Sequence, residues 1–223
     1  MIITIDGPSG TGKSTAAKGL AHALGITYFD TGALYRAISW QVRQAGVLLE
    51  EKEKLTALLK AFTYHVRTLD GERRYFVGDV DVTMAIRSPE ITAIVSEVSA
   101  LKEVREALKP IQVNVSKEMD VVFEGRDLGT VVFPHADIKF FLTARPEIRA
   151  KRRYVELQKK FPDQEFSLEK TLQDIEERDK YDSSREIAPL KQAVDAILVD
   201  TSDQTIDEVI QTMKKLVETR VKK

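Results

Sequence analysis

Short apolar runs alternate along the chain with longer amphipathic stretches. The runs are rich in β-branched and aromatic residues and occupy positions 2–5, 27–29, 120–124, 138–143 and 196–199. Such runs are typical of buried strands in a parallel sheet. Helical stretches lie between them, and glycines mark the ends of two, at about 14–24 and 33–45. Strands that alternate with helices predict a three-layer α/β domain with right-handed crossovers.

Two segments depart from this alternation. Residues 62–83 alternate apolar and polar positions with a period of two around an Asp70-Gly71 turn signal, which predicts an antiparallel hairpin or a three-strand meander. We interpret it as a small subdomain inserted into the α/β order. Residues 149–185 are densely charged and predict two helices joined by a loop.

Local signals fix some helix boundaries. Thr205 with Glu208 three residues later forms a capping-box pattern, which predicts the start of the last helix. Pro110 falls inside the helical stretch 102–118, where a proline lacks the N–H that the helix needs. We therefore expect a kink or a break at Pro110.

Composition narrows the classes of function. The 223 residues carry a formal net charge of −1, whereas a dedicated nucleic-acid binder is normally strongly basic. Zero cysteines exclude disulfides, thiolate metal sites and a thiol nucleophile. No signal-peptide pattern and no apolar run of membrane-spanning length is present. We expect a cytoplasmic protein that binds neither nucleic acid nor membrane and that, lacking a large apolar stripe, is a monomer.

The first strand runs into a glycine-rich segment with the pattern G-x-x-x-x-G-K-[ST], followed by a predicted helix. This pattern in this context indicates a P-loop, because glycines let the backbone N–H groups surround phosphates at a helix N-terminus. Lys13 is expected on the β- and γ-phosphates of ATP, and the Ser14 hydroxyl on Mg²⁺. A chance glycine-rich turn is the alternative. The predicted ATP-binding residues are Gly7, Pro8, Ser9, Gly10, Thr11, Gly12, Lys13, Ser14 and Thr15.

A P-loop alone does not select a function. The N-K-x-D motif with which GTPases bind the guanine base is absent, and Glu124-Gly125-Arg126-Asp127 differs from the Asp-Glu pattern of motor ATPases. Both classes are therefore disfavoured.

Charged clusters follow two further predicted strands. Arg36 comes after the second strand and Arg126 after the third, at the strand ends where open α/β sheets bind ligands. We expect the two guanidinium groups to converge on one phosphate. Less specific roles also fit: a surface ion pair for Arg36, a local salt bridge between Arg126 and Asp127, a solvated helix face for Arg178, Asp182 and Arg185, and a solvent-facing cluster for Arg149, Arg152 and Arg153.

Four segments, GPSGTGKST, DTGALYR, EGRDLGTVVFP and RDKYDSSREIAPL, occur in this order between Ile2 and Asp200. In sequence and spacing they resemble bacterial cytidylate kinases, which are nucleoside monophosphate kinases. The resemblance implies an α/β P-loop fold with a five-stranded parallel sheet, the antiparallel β insert and a helical lid. It implies one domain over 1–223, with an acceptor-binding region at about 33–105 and the lid at about 149–185.

The resemblance also implies roles for individual residues. Arg36 and Arg126 are expected on the acceptor phosphate, and Arg178 and Arg185 near the ribose and the transferring phosphoryl group. The implied catalytic residues are Lys13, Arg126, Arg178 and Arg185. The implied Mg²⁺ ligands are Ser14 directly and Glu124 through water, and the candidate lid arginines are Arg149 and Arg153. The implied CMP-binding residues are Thr31, Tyr35, Arg36, Ser96, Arg105, Arg126, Asp127, Arg178, Asp182 and Arg185.

The base pocket can also be argued from chemistry. Cytosine presents an amino donor beside two acceptors, so it suits a carboxylate at one end and an arginine at the other. Asp127 and Arg105 supply that pair, with Ser96 assisting. The resemblance in addition implies that Asp182 binds the ribose. We predict phosphoryl transfer from ATP to CMP, and the resemblance implies dCMP as a second acceptor. The alternatives are a kinase of this fold acting on another small acceptor such as UMP, and a nucleotide-gated binding protein without transfer.

Overall fold

A computed structural model describes residues 1–221; positions 222 and 223 of the predicted domain lie outside the described residues. The chain divides into two compact units. The first unit comprises Met1–Phe29 and the chain from Val115 onward, and the second comprises Asp30–Asn114. Within residues 1–221, no helix is both long enough and apolar enough to cross a membrane.

The elements follow the alternation that the sequence predicts, with a β excursion in the middle. The strands are β1 (Ile2–Asp6), β2 (Thr27–Asp30), β3 (Tyr64–Leu69), β4 (Glu72–Val77), β5 (Val80–Asp81), β6 (Val121–Glu124), β7 (Ile138–Thr143) and β8 (Ile197–Asp200). The helices are α1 (Lys13–Leu24), α2 (Thr31–Gln44), α3 (Lys52–Ala61), α4 (Pro89–Ala100), α5 (Lys102–Glu118), α6 (Pro146–Lys160), α7 (Leu168–Ser184) and α8 (Ile206–Val221). A 3₁₀ turn spans Ala85–Arg87 and a π-helical turn spans Leu128–Val132.

A five-stranded sheet in the order β2-β6-β1-β7-β8 organises the first unit. β1 pairs in parallel with β6 and β7, and β7 pairs in parallel with β8. The predicted five-stranded parallel sheet is confirmed. Because β1 lies at the centre, the loop after Asp6 emerges at the middle of the sheet's carboxyl edge, where ligands bind in open α/β sheets.

Helices α1 and α8 close one face of this sheet. Ala17 and Leu20 of α1 pack with Met213 of α8 against Ile3 and Phe140, and all five side chains are fully buried. Each large side chain buried in this way stabilises the fold by about 1.5–3 kcal/mol. This apolar layer gives the loop after β1 a rigid base.

The second unit carries the three-stranded antiparallel sheet β3-β4-β5. The hairpin turns at Asp70 and Gly71, both with positive φ (52° and 77°), as a two-residue hairpin turn requires. The prediction for 62–83 is thus confirmed. One face of the sheet packs on α2 in a cluster that includes Ala33, Ala37, Tyr75, Val77, Val82 and Ile86.

Helix α5 continues through Pro110, so the predicted break does not occur. Pro110 lies on the exposed side of the helix, and Glu106, whose carbonyl loses its usual N–H partner, is exposed as well. Water can therefore satisfy that carbonyl, while Val104 and Leu108 keep the opposite side of the helix buried. Burial of the apolar face outweighs the local preference against proline.

Candidate active site

The loop between β1 and α1 has the backbone of a phosphate cradle. Gly7 and Gly10 have φ values of +145° and +77°. A Cβ on Gly7 would lie 2.1 Å from the carbonyl oxygen of Leu142, and one on Gly10 would lie 2.8 Å from that of Arg149. Both positions therefore require glycine, for conformation and for space.

Lys13 begins α1 and is buried, with its Nζ donating to the carbonyl of Pro8 at 2.6 Å. Burial lowers the pKa of the Lys13 ammonium well below its ordinary value, and the charge of Arg126 lowers it further. An anion inside the loop would oppose both effects. The lysine therefore lies where the motif predicts it, in a place that favours bound negative charge.

The Ser14 hydroxyl donates to Oε1 of Glu124, at the end of β6, at 2.7 Å. The Tyr28 hydroxyl donates to the same oxygen at 3.3 Å. Hydroxyl and carboxylate oxygens are the ligands that Mg²⁺ prefers, so Ser14 and Glu124 fit a magnesium site next to the P-loop. Sequence reasoning missed Tyr28 because it lies in a short apolar run and is itself buried.

Three arginines surround one buried carboxylate. Asp182 near the end of α7 is 2% exposed. Its Oδ2 accepts from Nε of Arg126 at 3.2 Å and lies 3.7 Å from Nε of Arg178, while its Oδ1 lies 3.8 Å from Nη1 of Arg185. Arg126 also donates from Nη1 to the carbonyl of Gly7 at 3.0 Å. The cluster is therefore joined directly to the P-loop.

The side chains of Arg178, Asp182 and Arg185 therefore do not form a solvated helix face, which was the alternative interpretation of their spacing. The side chains of Asp182 and Arg185 are 3% and 6% exposed. Burial lowers the pKa of Arg178 to about 10, with the charge of Arg126 as the next cause. The Nε of Arg178 is buried without a hydrogen-bond partner in the described part of the chain, which favours an anionic ligand.

Asp127 lies after β6 and is buried. Its Oδ1 lies 3.5 Å from Nη2 of Arg185, which also donates from Nε to the carbonyl of Ala188 at 2.6 Å. Asp127 and Arg185 come from segments 58 residues apart. The two predicted site residues are therefore brought together by the fold of the first unit.

The other predicted CMP-binding residues lie in the second unit. Thr31 opens α2 and is buried, and Arg36, one turn later, donates from Nη1 to Oγ1 of Thr92 at 2.8 Å and to the carbonyl of Ile86 at 3.3 Å. The guanidinium of Arg105 lies 5.5 Å from the ring centre of Tyr35 and donates to the carbonyl of Ser99.

Ser96 lies on α4, partly buried, and its carbonyl accepts from the Ser99 hydroxyl. The second unit therefore places Arg105 beside Tyr35, and it holds Arg36 between α2 and α4.

Asp30 and Arg87 form an ion pair that sequence reasoning missed. Asp30 accepts from the N–H of Ala33 as the N-cap of α2, and its other oxygen accepts from Nη2 of Arg87 at 2.6 Å. The sequence could have predicted Asp30 as the N-cap, because it stands directly before the helix. The partner is 57 residues away and gave no local signal.

A cleft of about 480 Å³ opens beside the P-loop. It is lined by Gly10, Thr11, Gly12, Thr15, Arg152, Arg153, Glu156, Thr201, Gln204, Ile206 and Val209. Arg152 forms part of one wall and donates to the carbonyl of Thr201 at 2.6 Å. The cleft adjoins the phosphate loop and offers both apolar and amide groups, so it suits a heterocyclic base. The sequence gave no signal for Gln204 or Thr201.

The two candidate lid arginines lie in different environments. Arg149 is buried; it donates to the carbonyls of Ser9 and Ala144 and forms an ion pair with Asp179 of α7. Arg153 lies one turn later, lines the cleft and pairs with Glu156 at 3.0 Å. Arg149 therefore links α6, α7 and the P-loop, whereas Arg153 faces the open space.

Comparison with solved structures supports the fold. A shikimate kinase from Bacteroides thetaiotaomicron aligns over 98% of both chains with a TM-score of 0.50 and 14% identity. At that identity the likeness concerns the fold alone.

Sequence comparison identifies the family. The family model for cytidylate kinase matches residues 3–219. Similar proteins include cytidylate kinases from Protochlamydia amoebophila, 51% identical over 94% of this chain and 93% of the relative, and from Lactobacillus gasseri, 44% identical over 100% and 96%. A third, from Caldicellulosiruptor bescii, is 42% identical over 96% and 94%. With this match over nearly its whole length, and with the P-loop and arginine cluster described above, the chain belongs to the cytidylate kinase family.

Proposed function

We propose that the protein transfers the γ-phosphoryl group of Mg·ATP to CMP, and to dCMP, giving ADP and the corresponding diphosphate. The observation that carries this proposal is the cluster of Arg126, Arg178 and Arg185 around Asp182, with Arg126 bonded to the carbonyl of Gly7. Two phosphate-bearing substrates must meet for this reaction, and arginines beside a P-loop supply the charge that a second phosphate needs.

The chemistry needs positioning and charge more than proton transfer. The acceptor phosphate has a second pKa of about 6, so it is largely dianionic at neutral pH and requires no general base. Lys13, Arg126, Arg178 and Arg185 neutralise charge on the transferring group and its bridging oxygen. Ser14 and Glu124 would hold Mg²⁺, which would supply further neutralisation of the phosphates.

We assign the cleft beside the P-loop to the adenine of ATP. Ile206 and Val209 offer an apolar surface to the ring, and Gln204 offers an amide that can both donate and accept hydrogen bonds. The phosphates then continue into the loop at Gly10 and Gly12. This assignment adds Gln204 and Arg153 to the predicted ATP site.

We assign the CMP contacts as the sequence predicts them. Arg36 and Arg126 bind the acceptor phosphate, with Thr31 beside it. Asp127, Arg105 and Ser96 bind the base, Tyr35 lies beneath Arg105 at 5.5 Å from its guanidinium, and Asp182 binds the ribose. Uracil presents a carbonyl where cytosine has its amine, so it leaves a buried acceptor of Asp127 unpaired at about 1–3 kcal/mol.

Water must be kept from the γ-phosphate before transfer. We propose that the helical pair α6–α7 closes over ATP when CMP binds, and that Arg153 then reaches the phosphates. The link from Arg149 to Ser9 couples α6 to the P-loop. ATP hydrolysis without CMP should therefore be far slower than the kinase reaction, and comparable rates would overturn this closure.

We further propose that the enzyme works as a monomer in the cytoplasm and binds neither nucleic acid nor membrane. The near-neutral net charge of −1 supports the absence of a polyanion partner. Sedimentation of the purified protein at two concentrations tests the monomer.

One assay tests the reaction. Purified protein with Mg·ATP receives CMP, dCMP, UMP or AMP, and release of ADP is followed. We expect CMP and dCMP to support turnover, with kcat/KM for UMP lower by about 5- to 150-fold. Equal turnover of CMP and UMP would refute the base pocket, and ADP release independent of any acceptor would refute the kinase function.

A further inference from the structure

The segment after β6 begins a helical turn in an unusual way. Asp127 occupies the N-cap position of the π-helical turn Leu128–Val132, yet its side chain makes no capping hydrogen bond. The first N–H groups of a helical turn have no partner within the turn. An aspartate in that position ordinarily accepts from them. Another acceptor must therefore serve these buried groups.

Asp6, the last residue of β1, is that acceptor. Its Oδ1 accepts from the N–H of Leu128 at 3.0 Å, and its Oδ2 accepts from the N–H of Gly129 at 2.8 Å. Asp6 is 4% exposed, and the partners lie 122 and 123 residues away along the chain. One buried carboxylate thus caps the turn with both of its oxygens.

Gly129 allows this close approach. A Cβ on Gly129 would lie 3.1 Å from Cδ of Lys139, 3.2 Å from Oγ1 of Thr4 and 3.4 Å from Oδ2 of Asp6. The φ of Gly129 is not in the left-handed region, so space rather than conformation explains the glycine. The backbone of the turn therefore lies directly on β1 and β7.

The carboxylate of Asp127 has a different partner. Its Oδ1 lies 3.5 Å from Nη2 of Arg185, and both side chains are more than nine-tenths buried. If Asp127 capped its own turn, its carboxylate would point at the N–H of Gly129 or Thr130 instead. Because Asp6 accepts from the N–H groups of Leu128 and Gly129, the Asp127 carboxylate can point at Arg185 without leaving those two groups unpaired.

We propose that Asp6 is a positioning residue for acceptor recognition: by capping the turn in place of Asp127, it directs the Asp127 carboxylate toward Arg185 and the pyrimidine of CMP. This rests on the proposed function, in which Asp127 binds the base. Asp6 touches neither substrate. It acts on specificity through the backbone of Leu128 and Gly129.

The fold maintains this carboxylate at a cost. Burial, with a smaller contribution from the charge of Asp127, raises the pKa of Asp6 to about 7. The two backbone hydrogen bonds and the charge of Lys13 act in the opposite direction and lower this pKa. Lys139, on the neighbouring strand, directs its ammonium to Pro134 and Asp195.

The test compares Asp6→Asn with Thr4→Val. Asparagine keeps the shape but turns an amide N–H toward a backbone N–H, so one capping bond is lost. Thr4 is on the same strand and equally buried, and its hydroxyl has no hydrogen-bond partner in the described structure, so Thr4→Val removes no bond. Initial rates with varied CMP, UMP and ATP give the KM of each nucleotide, and thermal unfolding controls for stability.

We expect Asp6→Asn to raise the KM for CMP by about tenfold and to lower the preference for CMP over UMP by a similar factor. The KM for ATP should change by less than about threefold, and Thr4→Val should match the wild type. Equal increases in the KM of ATP and CMP would show that Asp6 acts on the P-loop, and unchanged values would show that it does not act at all; either result overturns the proposal.

Gly129→Ala provides a second variant should Asp6→Asn not fold. Its added Cβ would crowd Cδ of Lys139 and Oγ1 of Thr4 and push the turn away from the Asp6 carboxylate, so the KM for CMP should rise while that for ATP stays near the wild-type value. Unchanged CMP recognition in this variant would overturn the proposal. A wild-type protein that releases no ADP on addition of CMP would instead refute the proposed function, which distinguishes the two failures.

Discussion

Substitution of Asp182 by asparagine should destabilise the protein severely although it alters only one polar group. Asp182 is 2% exposed and lies within 3.2–3.8 Å of three guanidinium groups, those of Arg126, Arg178 and Arg185. Asparagine keeps the shape and one acceptor oxygen. It removes the negative charge that offsets the cost of burying those arginines.

The magnitude follows from burial. Removal of one partner of a buried ion pair costs about 3–5 kcal/mol, because an uncompensated charge is left inside the protein. For a chain of this size, 1 kcal/mol shifts the melting temperature by about 2–4 °C, so the expected fall is about 6–20 °C. Inorganic phosphate should raise the melting temperature of the variant more than that of the wild type, since an anion restores the missing charge.

Thermal unfolding by circular dichroism, with and without phosphate, measures both effects. Asp174→Asn is the matched control: it lies on the same helix and pairs with Lys170 at 2.9 Å, but both side chains are about 60% exposed. That exposed pair should contribute about 0–1 kcal/mol. A melting temperature of Asp182→Asn equal to that of the control would refute the assignment of Asp182 as the compensating charge of the cluster.

Three other predictions concern the P-loop, the arginine cluster and the pH dependence of stability. Gly10→Ala places a Cβ 2.8 Å from the carbonyl of Arg149 and should raise the KM for ATP by about tenfold or more. Gly46→Ala, at a similar φ but in open space, should leave the KM for ATP unchanged. Equal effects of the two substitutions in steady-state kinetics would show that crowding at Gly10 is not the cause. Arg126→Ala should lower kcat/KM for CMP by about a hundredfold or more with an unchanged circular dichroism spectrum, and near-normal turnover would remove Arg126 from the site. The pKa of Asp6, raised by burial to about 7 from 3.8, predicts that the contribution of this residue to the free energy of unfolding is present below pH 4 and falls by up to about 4 kcal/mol as the pH rises to about 7. Urea titrations should show that fall in the wild type and not in Asp6→Asn; parallel pH profiles would contradict the shifted pKa.

Local patterns determined much of this protein. The apolar runs predicted the five strands of the parallel sheet, the Asp70-Gly71 signal predicted the hairpin, and the Thr205–Glu208 capping box is present, with the N–H of Glu208 donating to the Thr205 hydroxyl at 3.3 Å. The G-x-x-x-x-G-K-[ST] motif likewise predicted the P-loop. Each of these features depends on residues a few positions apart, whose backbone preferences act within one turn or strand.

Pro110 shows where local preference fails. The residue type predicted a kink or break, and the helix continues because its opposite side is buried and its exposed side meets water. Burial is a property of the folded chain. Propensity by itself therefore could not decide the outcome.

The site itself depends on tertiary structure. The spacing of Arg178, Asp182 and Arg185 allowed either a solvated face or a site, and only the approach of Arg126, 56 residues away along the chain, resolves the choice. Tyr28 beside Glu124 and Asp6 beneath Leu128 had no sequence signal, since an isolated tyrosine or aspartate at a strand end fits many roles. The sequence alone determined the strands, the turns and the phosphate loop, because short-range sterics and hydrophobic periodicity specify them. Only the tertiary structure decided which buried charges meet, because that depends on how distant segments are packed and how far water is excluded from them.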